Sequence, residues 1–119
     1  MKTFSFKDLL VWQKAHSLVL AVYALTKSFP KEELFGLTSQ IRRSSVSVAA
    51  NIAEGYRKKS KADKARYYNI AQGSLDETIY YSMLSQDLLY SDTTNLQQLA
   101  DEVGKLLHGY IKGLNNSLP

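Results

Sequence analysis

Apolar residues return at steps of three and four along almost the whole chain, a spacing that gathers them on one face of a helix and scatters them over both faces of a strand. Only two prolines, Pro30 and Pro119, break the pattern, and turn signals of the Gly, Asn and Asp kind are too sparse for a hairpin-rich sheet. In the first segment Leu9, Trp12, His16, Val19 and Tyr23 form one stripe, and Val11, Ala15, Leu18, Val22, Leu25 and Phe29 form a second. A bundle helix needs one buried stripe. A helix apolar on two sides therefore predicts either deep burial or a second contact surface with another subunit, and the second is favoured.

Phe29-Pro30-Lys31-Glu32-Glu33 ends that helix and suits a short turn, with acids where a helix dipole favours them. The second helix is predicted from about 38 to 57. Ile41, Ser45, Val48 and Ile52 share its stripe, and Ser44, Ser47, Ala49, Ala50, Ala53 and Gly55 flank it with small side chains that let backbones approach. Ser60-Lys61-Ala62-Asp63 reads as a capping box that opens a third helix, from about 61 to 90. Its seam is expected along Tyr68, Leu75, Ile79, Leu84 and Leu88, with Gly73 packed closely on the second helix. Thr94-x-x-Gln97 is a second candidate box, and Leu96, Leu99, Val103, Leu106, Tyr110 and Leu114 carry a fourth helix to about residue 115. Short connections between four such segments predict an all-α fold, an antiparallel up-down-up-down four-helix bundle formed as a single domain over 1–119, with frayed ends near 1–6 and 115–119.

A chain of 119 residues can bury one core but not separate cofactor and substrate lobes. With no cysteine, disulfides, thiolate zinc sites, cysteine-ligated iron–sulfur clusters and cysteine nucleophiles are all excluded, and a cytoplasmic protein is expected. The longest strongly apolar run, Leu18 to Leu25, has eight residues where a membrane span needs about 20, so no membrane partner is expected. Lys7, Asp8, Gln13, Lys14 and His16 interrupt the amino-terminal stretch, which speaks against a secretion leader.

Charge is unevenly placed. The net charge is +4, yet between Arg42 and Arg66 eight basic residues stand against only Glu54 and Asp63, leaving seven basic and nine acidic residues elsewhere. The dense part, Arg57, Lys58, Lys59, Lys61, Lys64 and Arg66, falls at the connection of the second and third helices, with Tyr56, Tyr67 and Tyr68 interleaved. A solvated turn accounts for such a cluster, and so does a surface for RNA or DNA phosphates with tyrosines available for stacking. A scaffold for an acidic protein partner, without nucleic-acid binding, is the alternative.

Catalytic signatures are missing. A di-iron bundle needs Glu-x-x-His pairs, but Glu54, Glu77 and Glu102 are followed at the third position by Arg57, Tyr80 and Lys105. His16 and His108 have no carboxylate in ligand spacing, so neither a metal nor a cofactor is expected, and a ring nitrogen of His16 is expected to bond a neighbouring helix. No Gly-x-Ser-x-Gly elbow or phosphate loop occurs, Ser28 and Lys31 straddle a proline, and the arginine-then-histidine spacing of HEPN-type ribonucleases is not met. The chain reads as no enzyme. Asn51 and Glu54 share a helix face, Glu77 is placed to meet Arg42 or Arg43 across the helix pair, and Arg43, Asn51, Glu54 and Glu77 are expected to form a buried polar network that fixes the register of the pair.

Four ordered motifs remain: Leu9 to Ala15 (LLVWQKA), Phe35 to Arg43 (FGLTSQIRR), Val46 to Gly55 (VSVAANIAEG) and Ala71 to Glu77 (AQGSLDE). Together they closely resemble the bacterial 23S rRNA intervening-sequence proteins, also called four helix bundle proteins. The resemblance implies an up-down bundle assembled into a homopentameric ring. It also implies likeness to the accessory proteins of diversity-generating retroelements, basic pentamers that bind nucleic acid and a reverse transcriptase. It brings no catalytic residue.

Overall fold

The computed structural model describes residues 5–116, with side chains placed as far as Leu114. It contains four long helices: α1 (Leu10–Thr26), α2 (Leu37–Arg57), α3 (Lys61–Asp87) and α4 (Thr94–Asn116). Short 3-10 turns at Phe6–Asp8 and Lys31–Glu33 precede α1 and α2, and among the described residues there is no strand. The fraying expected at 1–4 and 117–119 lies outside the described residues. Ser5 and Phe6, expected to fray as well, instead belong to a capped turn, where Ser5 Oγ accepts from the Lys7 amide and Asp8 accepts from the Ser5 amide.

Each helix packs on two others, α1 on α2 and α4, and α3 on α2 and α4, giving a rod of 50 × 23 × 21 Å. Ser44 meets Thr78, Ser47 meets Ser74 and Lys64 reaches Gly55, so the numbering of α3 runs opposite to that of α2. One core of Val11, Ala15, Leu18, Val22, Ile41, Val48, Ile52, Leu75, Ala100, Val103 and Leu107 runs along the rod. In the Leu9, Trp12, His16, Val19 and Tyr23 stripe Leu9 alone is buried; Trp12 and Val19 are half-buried, His16 and Tyr23 exposed.

The seam of α3 differs from expectation. Its buried positions are Tyr68, Ala71, Ser74, Leu75, Thr78, Ser82 and Ser85, while Leu84 is half-buried and Leu88 exposed. Hydroxyls can take these places because each donates to its own helix one turn back: Thr78 to the Ser74 carbonyl (2.9 Å), Ser82 to that of Thr78 (2.8 Å) and Ser85 to that of Tyr81 (2.7 Å). Such small, internally satisfied side chains bring α2 and α3 close together. Gly73 does not contribute, since it is exposed and a Cβ there would meet nothing within 4 Å.

Helix ends follow local chemistry. Ser60 caps α3 by accepting from the Asp63 amide (3.1 Å). The expected Thr94 cap is displaced by one residue: α4 starts at Thr94, and buried Thr93 precedes it, its hydroxyl donating to the Ser82 carbonyl and accepting from the Gln97 side chain. Asp92 accepts from the amide and hydroxyl of Thr94, which holds its carboxyl below the usual range.

Candidate nucleic-acid interface

The α2–α3 connection is only Lys58 to Ser60, and its tightness comes from Gly55. A Cβ at that position would stand 2.6 Å from Tyr68 Cε1 and 3.2 Å from Tyr67 Cβ. Glycine therefore lets the first turns of α3 close against the last turn of α2, which fixes where Tyr67 and Tyr68 sit.

That closure divides the six cations. Arg57, Lys59 and Arg66 are exposed; Lys58, Lys61 and Lys64 are half-buried. Lys64 turns inward, its ammonium donating to the carbonyl oxygens of Tyr56 (2.6 Å) and Gly55 (3.2 Å) while lying 5.5 Å from the centre of the Tyr56 ring. These carbonyls end α2, where the helix dipole favours a cation. Burial holds the Lys64 ammonium below the usual lysine range. Lys64 is thus a helix cap, drawn away from the phosphate-facing set. Lys58 makes a long 3.9 Å ion pair with Glu54 and stands 5.0 Å from the centre of the Tyr67 ring, on which the Arg66 guanidinium also rests at 5.3 Å.

The three tyrosines divide as well. Tyr68 is 3% exposed, its hydroxyl pushed up by burial, and cannot stack on a ligand. Tyr56 and Tyr67 are half-buried.

The expected polar network of Arg43, Asn51, Glu54 and Glu77 is not a buried one. Arg43, Glu54 and Glu77 are exposed, because the helices approach through small residues and leave no interior room for long charged chains. Asn51 is half-buried and donates to the carbonyl and hydroxyl oxygens of Ser47, whose hydroxyl meets Ser74 at 2.8 Å. The polar link between α2 and α3 is made of Ser44, Ser47, Ser74 and Thr78, whose signal in the sequence is the four-residue step from Ser74 through Thr78 to Ser82. Arg43 and Glu77 instead face one surface groove of about 380 Å³ above these hydroxyls. Arg42 goes the other way, donating to Thr26 Oγ1 at 2.8 Å and lying over the Tyr23 ring of α1.

His16 likewise departs from expectation: it is exposed and stacks flat on Trp12, ring centres 5.1 Å apart, rather than bonding a neighbouring helix. With Phe6, Val19, Val46, Ala49, Ala50 and Ala53 these two rings line an apolar surface groove of about 280 Å³ between α1 and α2. Among the described residues no group of three metal-ligating side chains comes together, and no helix is long and apolar enough to cross a membrane.

Comparison with known proteins agrees with this architecture. The chain is similar, at 31% identity and with a TM-score of 0.81, to a protein of unknown function from the S23 ribosomal protein family of Bacteroides thetaiotaomicron VPI-5482, the match covering 89% of this chain and 98% of that one. No curated protein matches. Residues 7–109 fit the family model described as 23S rRNA-intervening sequence protein, and the chain belongs to that family.

Proposed function

We propose that the protein is a non-enzymatic, homo-oligomeric module that binds RNA or DNA phosphates through the cations of the α2–α3 connection. The observation that carries this reading is the exposure of Arg57, Lys59 and Arg66 around a connection flanked by two acids, Glu54, which pairs with Lys58, and Asp63, which sits in the first turn of α3. Lys58 and Lys61 stand beside them, half-buried; Lys64 braces the site rather than contacting ligand.

Oligomerisation is supported by the uncovered second side of α1, where Trp12 and His16 line an apolar groove and Leu20 is 58% exposed. The resemblance to ring-forming relatives implies five copies. Repetition matters energetically, because a few cations bind weakly and joined copies multiply the effect through effective concentration. Mobility shift with ribosomal and random-sequence RNA at low and moderate salt, alongside light scattering for mass, tests both parts. Salt-sensitive, sequence-tolerant binding by a particle several times the protomer mass is expected. A monomer that shifts neither RNA contradicts the reading.

The same cationic corner also suits a scaffold that holds an acidic protein partner and no nucleic acid. Copurification of a protein partner free of nucleic acid, after lysis without nuclease, favours that alternative.

A further inference from the structure

We propose that Tyr67 is a stacking platform for an unpaired base, so that the α2–α3 corner takes single-stranded RNA or DNA in preference to duplex. This rests on the nucleic-acid reading above and names its substrate class.

Three tyrosines surround the connection, and the geometry leaves one for this role. Tyr68 is buried. The Tyr56 ring lies beneath the Lys64 ammonium, which two backbone carbonyls hold in place. Tyr67 is half-exposed, and its Cβ rests against Gly55, so the ring projects from a fixed seat rather than from a loop. Lys58 and Arg66 lie over the same ring, 5.0 and 5.3 Å from its centre, and unlike Lys64 neither is anchored to backbone carbonyls, so a base that stacks there displaces them toward the phosphates on either side. Lys58 is weakly held, by a 3.9 Å pair to partly exposed Glu54. An arriving base can take its place on the ring, freeing the ammonium for phosphate.

With Lys64 withdrawn, Arg57, Lys59 and Arg66 are the fully exposed cations of the corner. A base stacked on an aromatic ring strengthens binding by roughly tenfold, and only an unpaired strand can offer a free base face. Among the described residues no helix projects from this corner that could enter a major groove, since α2 and α3 end there in a three-residue connection.

Fluorescence anisotropy tests the proposal with labelled oligo-dT, oligo-U, a duplex of equal length and an abasic strand of equal charge. Oligo-dT or oligo-U is expected to bind roughly tenfold tighter than duplex and abasic strand, the two arms telling DNA from RNA. Tyr67→Ala is expected to erase that margin and Tyr67→Phe to keep it, with a melting curve on each variant. The abasic comparison uses the unaltered protein and so survives a variant that fails to fold. Binding that tracks phosphate number alone overturns stacking while leaving the nucleic-acid reading intact. Absence of binding to any strand overturns both.

Discussion

The ammonium of Lys64 donates to the carbonyl oxygen of Tyr56 at 2.6 Å, so a lysine from the first turn of α3 closes the end of α2. Charge-assisted bonds of this kind contribute about 1.5–3 kcal/mol when well formed, and partial exposure lowers the figure. Lys64→Met, which leaves both carbonyls without this donor, is expected to lower stability by under about 1 kcal/mol in denaturant titration, because the burial that holds the ammonium below its usual range offsets part of the bonds' gain. Because Lys64 is already engaged, the same variant is expected to leave the salt dependence of RNA binding nearly unchanged, unlike substitution of exposed Lys59.

Gly55 and Gly73 make an opposed pair. Gly55→Ala drives a methyl to 2.6 Å from the buried Tyr68 ring, and overpacking of this sort costs about 1–3 kcal/mol. Gly73→Ala meets open space within an exposed helix interior and is expected to stabilise by about 0.5–1 kcal/mol. Urea midpoints of the two variants, moving in opposite directions, check this account of how α2 and α3 approach.

Leu89 adopts φ 64° just past the end of α3, with its amide bonded to the Gln86 carbonyl and the next amide, Tyr90, bonded to that of Ser85. This is the Schellman arrangement, whose left-handed position favours glycine. Leu89 is 90% exposed and gains nothing from packing to offset the strain. Leu89→Gly is expected to raise thermal stability, by about 0.5–1 kcal/mol. A loss of stability would show that the leucine side chain is covered in the assembled protein.

Glu33 ties the α1–α2 connection to the segment after α3. One carboxylate oxygen accepts from the Leu37 amide at 3.0 Å and the other from the Tyr90 hydroxyl at 2.8 Å. The Leu37 amide, and then the Tyr90 hydroxyl, hold the Glu33 carboxyl below the usual range; the bond to Glu33 in turn pushes the Tyr90 hydroxyl up. The lowered glutamate contributes stability fully above its unfolded value and loses it as pH falls through the folded one. The raised tyrosine contributes fully below its unfolded value and loses it as pH rises through the folded one. Urea midpoints against pH are expected to flatten on both sides for Glu33→Gln, and for Tyr90→Phe on the alkaline side and only in part on the acid side, where the Leu37 amide still holds Glu33 down.

Helix positions were legible in the sequence because apolar spacing and the Ser60 cap act locally, and α2, α3 and α4 begin within two residues of where those signals place them. The inner face of α3 was not. Ser74, Thr78, Ser82 and Ser85 carry no hydropathy signal, and their burial depends on hydrogen bonds to carbonyls one turn back. The cationic cluster was visible as a run of letters, but its division was not. Whether Lys64 faces solvent or a helix end depends on how closely Gly55 lets α3 approach, which is a tertiary matter. Charge alone likewise suggested a buried network for Arg43, Glu54 and Glu77, whereas the space between the helices is filled by hydroxyls.

The most direct test of the phosphate-binding corner is the slope of log Kd against log salt for single-stranded RNA, compared between the native chain and a triple Arg57→Glu, Lys59→Glu, Arg66→Glu variant that retains its helical circular dichroism. Each neutralised phosphate on a single strand contributes about 0.7 to that slope, so loss of three contacts per bound patch predicts a slope shallower by about 2 and a much weaker Kd at low salt. An unchanged affinity and an unchanged slope would contradict the account.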